Sequence, residues 1–223
     1  MKKVILIAGG SRGIGKHLVE TLGDNFLISV CSRSIEYKEG SDFLFWKCDL
    51  RNRKEIKGFI DATLNKFGHI DAVIYNAGLM LYDNLLRIKE EDIDAMYEVM
   101  VKGFLFLCQY IIPIMREQGY GHIINISSTR GITAAPNKGA YSAMKRAATS
   151  LIDSIRLENE QHGIKATSVH FGVINTNSSR EKYGKKIHSL NPIGLDSVVD
   201  VIQFLLSLAR GAQINSIIVG GKL

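Results

Sequence analysis

Cysteine is scarce in this chain of 223 residues: Cys31, Cys48 and Cys108 are the three present, and no two of them form a Cys-x-x-Cys pair. Far apart and set among apolar neighbours, they fit buried thiols in a reducing compartment, which points to the cytoplasm. Long hydrophobic runs are missing as well. The apolar run after Lys2 and Lys3 stops at Gly9, short of the roughly 7–15 residues of a signal-peptide core, so it is expected to be a strand. The longest other apolar stretch, Phe104 to Met115, contains Gln109 and Pro113 and falls below the roughly 18 residues that span a bilayer. No membrane partner is implied. The six histidines show no metal-ligand spacing, so no metal site is expected. Internal repeats and low-complexity tracts are also absent. The net charge is +6, but Lys and Arg are scattered and not interleaved with aromatics, so no nucleic-acid partner is expected. The excess reads as a solvated basic surface, with an anionic substrate or cofactor as its other reading.

What is present begins with Val4–Gly15, VILIAGGSRGIG: an apolar run, a glycine-rich turn and the start of an amphipathic helix marked by Ile14, Leu18 and Leu22. Gly9, Gly13 and Gly15 carry no Cβ, so the chain can turn tightly, approach a pyrophosphate and pack against the strand. Bare N–H groups and the positive helix end then hold the anion. Gly10, Gly15 and Lys16 also fit the phosphate loop of nucleotide triphosphatases, but His17 stands where that loop needs a hydroxyl for magnesium. A second predicted strand, Phe26 to Cys31, ends at Ser32 and Arg33. An acidic residue there would grip a ribose 2′-hydroxyl, whereas Arg33, with Arg12 in the glycine turn, can pair with a 2′-phosphate. That pattern favours NADPH over NADH.

Further strands are predicted at Phe43 to Lys47, Ile70 to Tyr75, His122 to Ser127, Lys165 to Phe171 and Asn215 to Val219. Between them lie helical patterns such as Ile56, Phe59, Ile60, Leu64 and Phe67. This alternation argues for an α/β fold with a parallel sheet of right-handed βαβ units. A long helical region from Glu90 to Gln118 is expected to bend or break at Gly103 and Pro113. Helices are also expected from Gly139 to His162 and from Asp196 to Arg210. The polar segment from about 172 to 194 is predicted to shape the substrate pocket together with Leu79 to Leu86. Within it the basic run Ser178 to His188 is a candidate lid.

Tyr141 and Lys145 in YSAMK stand four residues apart on one helix face. An unperturbed Tyr has a pKa of about 10, and a neighbouring positive charge stabilises the phenolate and draws that value down. Such a Tyr can give a proton to a carbonyl oxygen or take it back. Ser128, at a strand end upstream, can hydrogen-bond the same oxygen as charge develops.

In order, AGGSRGIG (Ala8 to Gly15), Asp49-Leu50, YNAG (Tyr75 to Gly78), ISS with Ser128, and YSAMK resemble the motifs of the classical short-chain dehydrogenase/reductase family. The resemblance covers nearly the whole chain. It implies a single Rossmann domain over residues 1–223, a doubly wound parallel sheet of about seven strands flanked by helices on both faces. It implies Ser128, Tyr141 and Lys145 as catalytic residues, with Lys145 also holding the nicotinamide ribose. For the dinucleotide, NADP(H) rather than NAD(H), it implies contacts from Gly9, Ser11, Arg12, Gly13, Ile14, Gly15, Arg33, Asp49, Leu50, Asn76, Ala77, Gly78, Tyr141, Lys145 and Thr176. A small carbonyl or alcohol substrate and a homodimer or homotetramer, built through the long helices containing Met100 and Tyr141, are implied too. Three positions depart from the family: Ala8 replaces its Thr, Phe171-Gly172 its Pro-Gly, and Met100 the Asn of a proton relay. Met still offers a backbone carbonyl there. The expected function is NADPH-dependent reduction of a ketone or aldehyde; the alternative is a catalytically weak NADP(H)-binding sensor or scaffold.

Overall fold

Val4–Ala8 is a run of five buried residues, and burial on both faces makes it a central strand, β1, in the computed structural model, which describes residues 2–220. β1 pairs in parallel with β2 (Leu27–Ser32) on one side and with β5 (Ala72–Tyr75) on the other. Beyond them lie β4 (Phe43–Lys47), parallel to β2, and β6 (Gly121–Ser128), β7 (Ile164–Phe171) and β8 (Ser216–Val219), each parallel to the strand before it. The sheet has eight strands in the order β3-β4-β2-β1-β5-β6-β7-β8, one more than expected. The addition is β3, Lys38–Glu39, which runs antiparallel to β4 at the edge. Two exposed charged residues leave no hydrophobic alternation to read. The strand order reverses between β1 and β5, and in such sheets the crevice beyond the carboxyl ends at that point receives ligands.

Helices cover both faces. α1 (Gly13–Leu22) and α7 (Leu195–Ser207) lie on one face and bury Leu18, Leu22, Ile202 and Leu205 with Ile5 and Ile7 of β1. α2 (Arg53–Phe67), α4 (Gly103–Gln118) and α5 (Gly139–Asn159) lie on the other, with Phe59, Phe104, Leu107 and Ile152 against Leu6 and Val73. Asn52 starts α2 by accepting from the backbone N–H groups of Lys54 and Glu55, and Gly68 ends it in the left-handed conformation.

The expected bend takes a particular form. α3 (Glu90–Tyr97) passes into a π-helical turn, Glu98–Lys102, immediately before α4. The Tyr75 hydroxyl donates to the Val99 carbonyl in that turn, while Gly103 leaves room where a Cβ would collide with the Leu50 carbonyl. Pro113 does not break the helix: α4 continues through it, held by buried Ile111 and Met115 on either side. The whole run Glu90–Gln118 is 29 residues, long and apolar enough by composition to cross a membrane. Here its apolar side, including Met96, Met100, Phe104 and Leu107, is buried in the protein.

Downstream, α5 stops at Asn159 and a short 3-10 turn, Glu160–His162, completes the expected helix. The polar segment is more ordered than its composition implies: Asn177–Tyr183 forms α6 and Gly184–Leu190 a 3-10 helix, with Ser179 and Ile187 buried.

Candidate active site

The crevice at the reversal point is lined first by backbone. Gly9 has φ +92°, and a Cβ on it would lie 2.9 Å from the Ala77 Cα. Its N–H donates to the Cys31 carbonyl of β2 at 2.8 Å. A Cβ on Gly15 would collide with the Gly9 carbonyl oxygen and sit 2.7 Å from Asn76 Nδ2. Asn76 in turn donates to that same Gly9 oxygen at 2.7 Å, so the loop after β5 locks the turn after β1. Gly13 (φ +55°) faces Thr176, whose methyl would be 3.7 Å from a Cβ there. Thr176 accepts from the Ser179 N–H at 3.1 Å and so starts α6 beside the glycine turn. Ser11 and Arg12 lie on the turn itself, and Ile14 is in the first turn of α1, packed against the core of that face.

The end of β2 and the turn after β4 close this side. Arg33 follows β2 and is exposed, as is Arg12, and among the described residues neither forms an ion pair. Asp49 is bound by Arg51, with Nη2 to Oδ2 at 2.6 Å, and that hydrogen bonding, opposed by partial burial and helped by the charge of Arg33, holds its carboxyl below the usual range. Leu50 beside it is buried.

The catalytic candidates stand at the ends of β5 and β6. Lys145, one helical turn after Tyr141 on α5, donates from Nζ to the Ile126 carbonyl at 2.8 Å. A Cβ on Gly78 would lie 3.6 Å from this Nζ and 3.9 Å from Met100 Cγ, so Lys145, Gly78 and Met100 meet at one spot. Tyr141 is buried with Met96 and Met100 in a small cluster beside the main cores. Ser128 ends β6 and accepts from the Arg130 N–H at 3.2 Å. Burial lowers the Lys145 ammonium to a pKa of about 8. Burial also pushes the Tyr141 phenol up to about 12, against the pull of hydrogen bonding by Ser128 and Tyr82 and of the Arg130 charge. The sequence argument expects a lowered phenol; in this structure desolvation outweighs the neighbouring donors.

Sequence reasoning missed Tyr82, Tyr183 and Lys138. The Tyr82 ring stands edge-on to Tyr141, 5.1 Å between centroids at 73°, and Lys138 donates to the Tyr183 hydroxyl at 3.0 Å. No motif carries these residues. The available signal was that Tyr82 falls within the Leu79 to Leu86 segment and Tyr183 within the polar stretch.

A glycine-locked turn at the strand-order reversal, with a Tyr and a Lys one helical turn apart across from it, defines a dinucleotide-type oxidoreductase site. The family model for short chain dehydrogenases matches residues 3–186, and the chain belongs to that family of oxidoreductases. An uncharacterized oxidoreductase of Staphylococcus saprophyticus is 30% identical over 233 residues, which cover 97% of this chain and 95% of that protein. The structure of ElxO with NADP bound is similar over 98% of each chain, at 26% identity and a TM-score of 0.84. A Tyr-to-Phe variant of ElxO with NADPH bound gives a TM-score of 0.86 at 25% identity, again over 98% of each chain.

Proposed function

We propose that this protein is an NADP(H)-dependent reductase that converts a ketone or aldehyde to an alcohol. The observation that carries the reading is the meeting of Lys145, Gly78 and Met100 beside buried Tyr141, across from the turn locked by Asn76. The residues present fit a dinucleotide: Gly9 and Gly15 let the turn after β1 pack on Ala77 and Asn76 with no Cβ between them, so that α1 starts at the crevice, and Arg12 and Arg33, exposed and without an ion-pair partner among the described residues, are available to a 2′-phosphate. The bound ElxO structures point to the same cofactor. Ser11, Gly13, Asp49, Leu50, Ala77 and Thr176 complete the proposed contact surface.

When bound, the dinucleotide supplies the hydride. Tyr141, held protonated at neutral pH by a pKa of about 12, gives its proton to the carbonyl oxygen, and Ser128 donates to that oxygen as charge builds. Lys145 shares the face of α5 and, titrating at about 8, can carry a proton back to Tyr141 near physiological pH. The segment from about 172 to 194, including α6, covers the substrate. Exposed Tyr97, Leu105 and Leu157 on the long helices support a homodimer or homotetramer, and the three free, buried cysteines support a cytoplasmic location.

The test is fluorescence titration with NADPH and NADH, followed by decay of absorbance at 340 nm against a panel of carbonyl compounds. Tyr141→Phe should lower turnover by about 10² to 10⁴ with NADPH binding retained; unchanged turnover would place the proton donor elsewhere. A second reading, a cofactor-binding sensor with little turnover, draws on Met100, which is buried where the family places a relay Asn. Tight NADPH binding without turnover across the panel would favour it. Met100→Asn should raise the rate if that relay is the bottleneck.

A further inference from the structure

Two ammonium groups on the substrate side of the crevice lack a carboxylate partner. Lys138, just before α5, holds Nζ 5.0 Å from the centre of the Tyr82 ring, and Lys182 of α6 holds its own Nζ 4.8 Å from the same ring. Lys138 also lies 5.2 Å from the centre of the Tyr183 ring. Tyr82 is in edge contact with Tyr141, so both charges are one aromatic ring away from the proposed proton donor. Among the described residues neither lysine forms an ion pair. The acidic residues nearest in sequence do not answer them: Asp83 pairs with Arg87 at 3.3 Å, and Glu181 forms no ion pair among the described residues. A third cation, Arg130, is close enough for its charge to act on Tyr141.

Lys138 is partly buried and Lys182 exposed, and two cations gathered round one ring repel one another unless an anion answers them. Here aromatic faces are what they meet. Arg12 and Arg33 lie on the glycine turn and at the end of β2, elements that carry neither Lys138 nor Lys182, and the lysines are assigned to a different anion.

Resting on the reductase reading, we infer that the substrate is an oxo compound carrying an anionic group, a carboxylate or a phosphate. Lys138 and Lys182 receive that group at the rim of Tyr82 while the carbonyl meets Tyr141. The residues thereby set specificity and take no part in proton transfer. A carboxylate and a phosphate present the same charge-assisted acceptors, and the assay separates them.

The test compares NADPH oxidation by matched pairs: 2-oxobutanoate against its methyl ester, 3-oxobutanoate against its methyl ester, and dihydroxyacetone phosphate against dihydroxyacetone. At least one anion should exceed its neutral partner by about tenfold or more in kcat/KM, carried mainly by KM and weakened by salt. In Lys138→Met/Lys182→Met that ratio should fall toward one, and in Lys138→Arg/Lys182→Arg it should persist. Neutral partners used as well as the anions, or a ratio untouched in the Met variant, overturn the inference and leave the reductase reading standing. Failure of the reductase reading is a different result: no oxidation with any of the six compounds. In that case 2-oxobutanoate or dihydroxyacetone phosphate should still change the fluorescence of bound NADPH in the wild type and not in the Met variant. Absence of that response overturns the inference as well.

Discussion

At the end of the crevice proposed for the nucleotide the walls are backbone and the one Asn76 side chain held to it, whereas at the end proposed for the substrate they are side chains from two loops and the short helix α6. Around Gly9 and Gly15 the clearances are set by the Gly9 carbonyl, the Ala77 Cα and Asn76 Nδ2, and none of these can move without opening the turn between β1 and α1. Against Tyr141 stands the Tyr82 ring, and round Tyr82 stand Lys138, which also reaches Tyr183, and Lys182, while Leu85 and Leu86 in the same segment as Tyr82 are largely exposed. The first construction admits one shape. The second can be re-cut by changing a few side chains.

The largest effect should come from placing a methyl group in the backbone wall. Gly15→Ala would drive Cβ into the Gly9 carbonyl oxygen, which is backbone, and against the Asn76 amide, which is held by its own hydrogen bond to that oxygen. A loss of about 3 kcal/mol in unfolding free energy is expected, together with loss of measurable NADPH binding. Denaturant titration with and without NADPH checks both. A variant that keeps full stability and affinity would break the comparison, because the turn would then be as plastic as the substrate end.

The opposite response is expected where the wall is a titratable side chain. Lys145 is buried and its ammonium is lowered from the ordinary 10.5 to about 8, so folding disfavours the charged form. Between those values the unfolded chain binds more protons than the folded one. Stability therefore rises as pH increases from about 8 toward 10.5 and is lowest, and flat with respect to this group, below 8. Lys145→Met removes that burden, with some loss from the missing bond to Ile126, and should stabilise the protein at pH 7 by about 2 kcal/mol while eliminating turnover. Thermal melts of both proteins from pH 7 to 10 would show the gap narrowing as pH rises; a constant gap would mean that Lys145 is not held against its solvation.

How legible the molecule is in its sequence follows the same division. The glycine turn, the Asn76 loop against it and the Tyr141/Lys145 pair on one helix are legible as features because a tight turn or a fixed helical spacing admits few residue types, and Arg33 and Ser128 are legible as strand ends. The strands were readable from apolar runs, to within a residue or two at their ends, except the charged two-residue edge strand β3. The π-helical turn was expected only as a bend, because its cause is a hydroxyl from a different element, Tyr75 on β5. The Tyr82, Tyr183 and Lys138 group was invisible for a similar reason. It joins three segments whose contacts depend on how the chain folds back, and no local spacing encodes that meeting.

A smaller effect is expected at Arg33, the exposed side chain proposed to meet the 2′-phosphate. Arg33→Ala should reduce the preference for NADPH over NADH by about tenfold, the scale of one charge-assisted contact at a solvated site. The stability of the cofactor-free protein should change little, because Arg33 has no ion-pair partner among the described residues. Titrations with the two dinucleotides measure the ratio. An unchanged ratio would leave Arg12 as the carrier of the preference, still a side-chain effect on a backbone frame.

The smallest effect sharpens what makes Gly15 special. Gly58 lies inside α2, and a Cβ placed there would meet nothing within 4 Å. Gly58→Ala should therefore stabilise the protein by about 0.5 to 1 kcal/mol, since alanine loses less backbone freedom on folding and adds no clash. NADPH binding should be untouched. The same chemical change, one methyl group on a glycine in a helix, is then expected to have opposite signs at two sites. Helical propensity favours alanine at both, so a reversal of sign isolates the contact with the Gly9 carbonyl as the cause. If both substitutions destabilised, the cost at Gly15 could no longer be assigned to that contact, and the claim that the packed glycine turn sets the shape of this end would lose its main support.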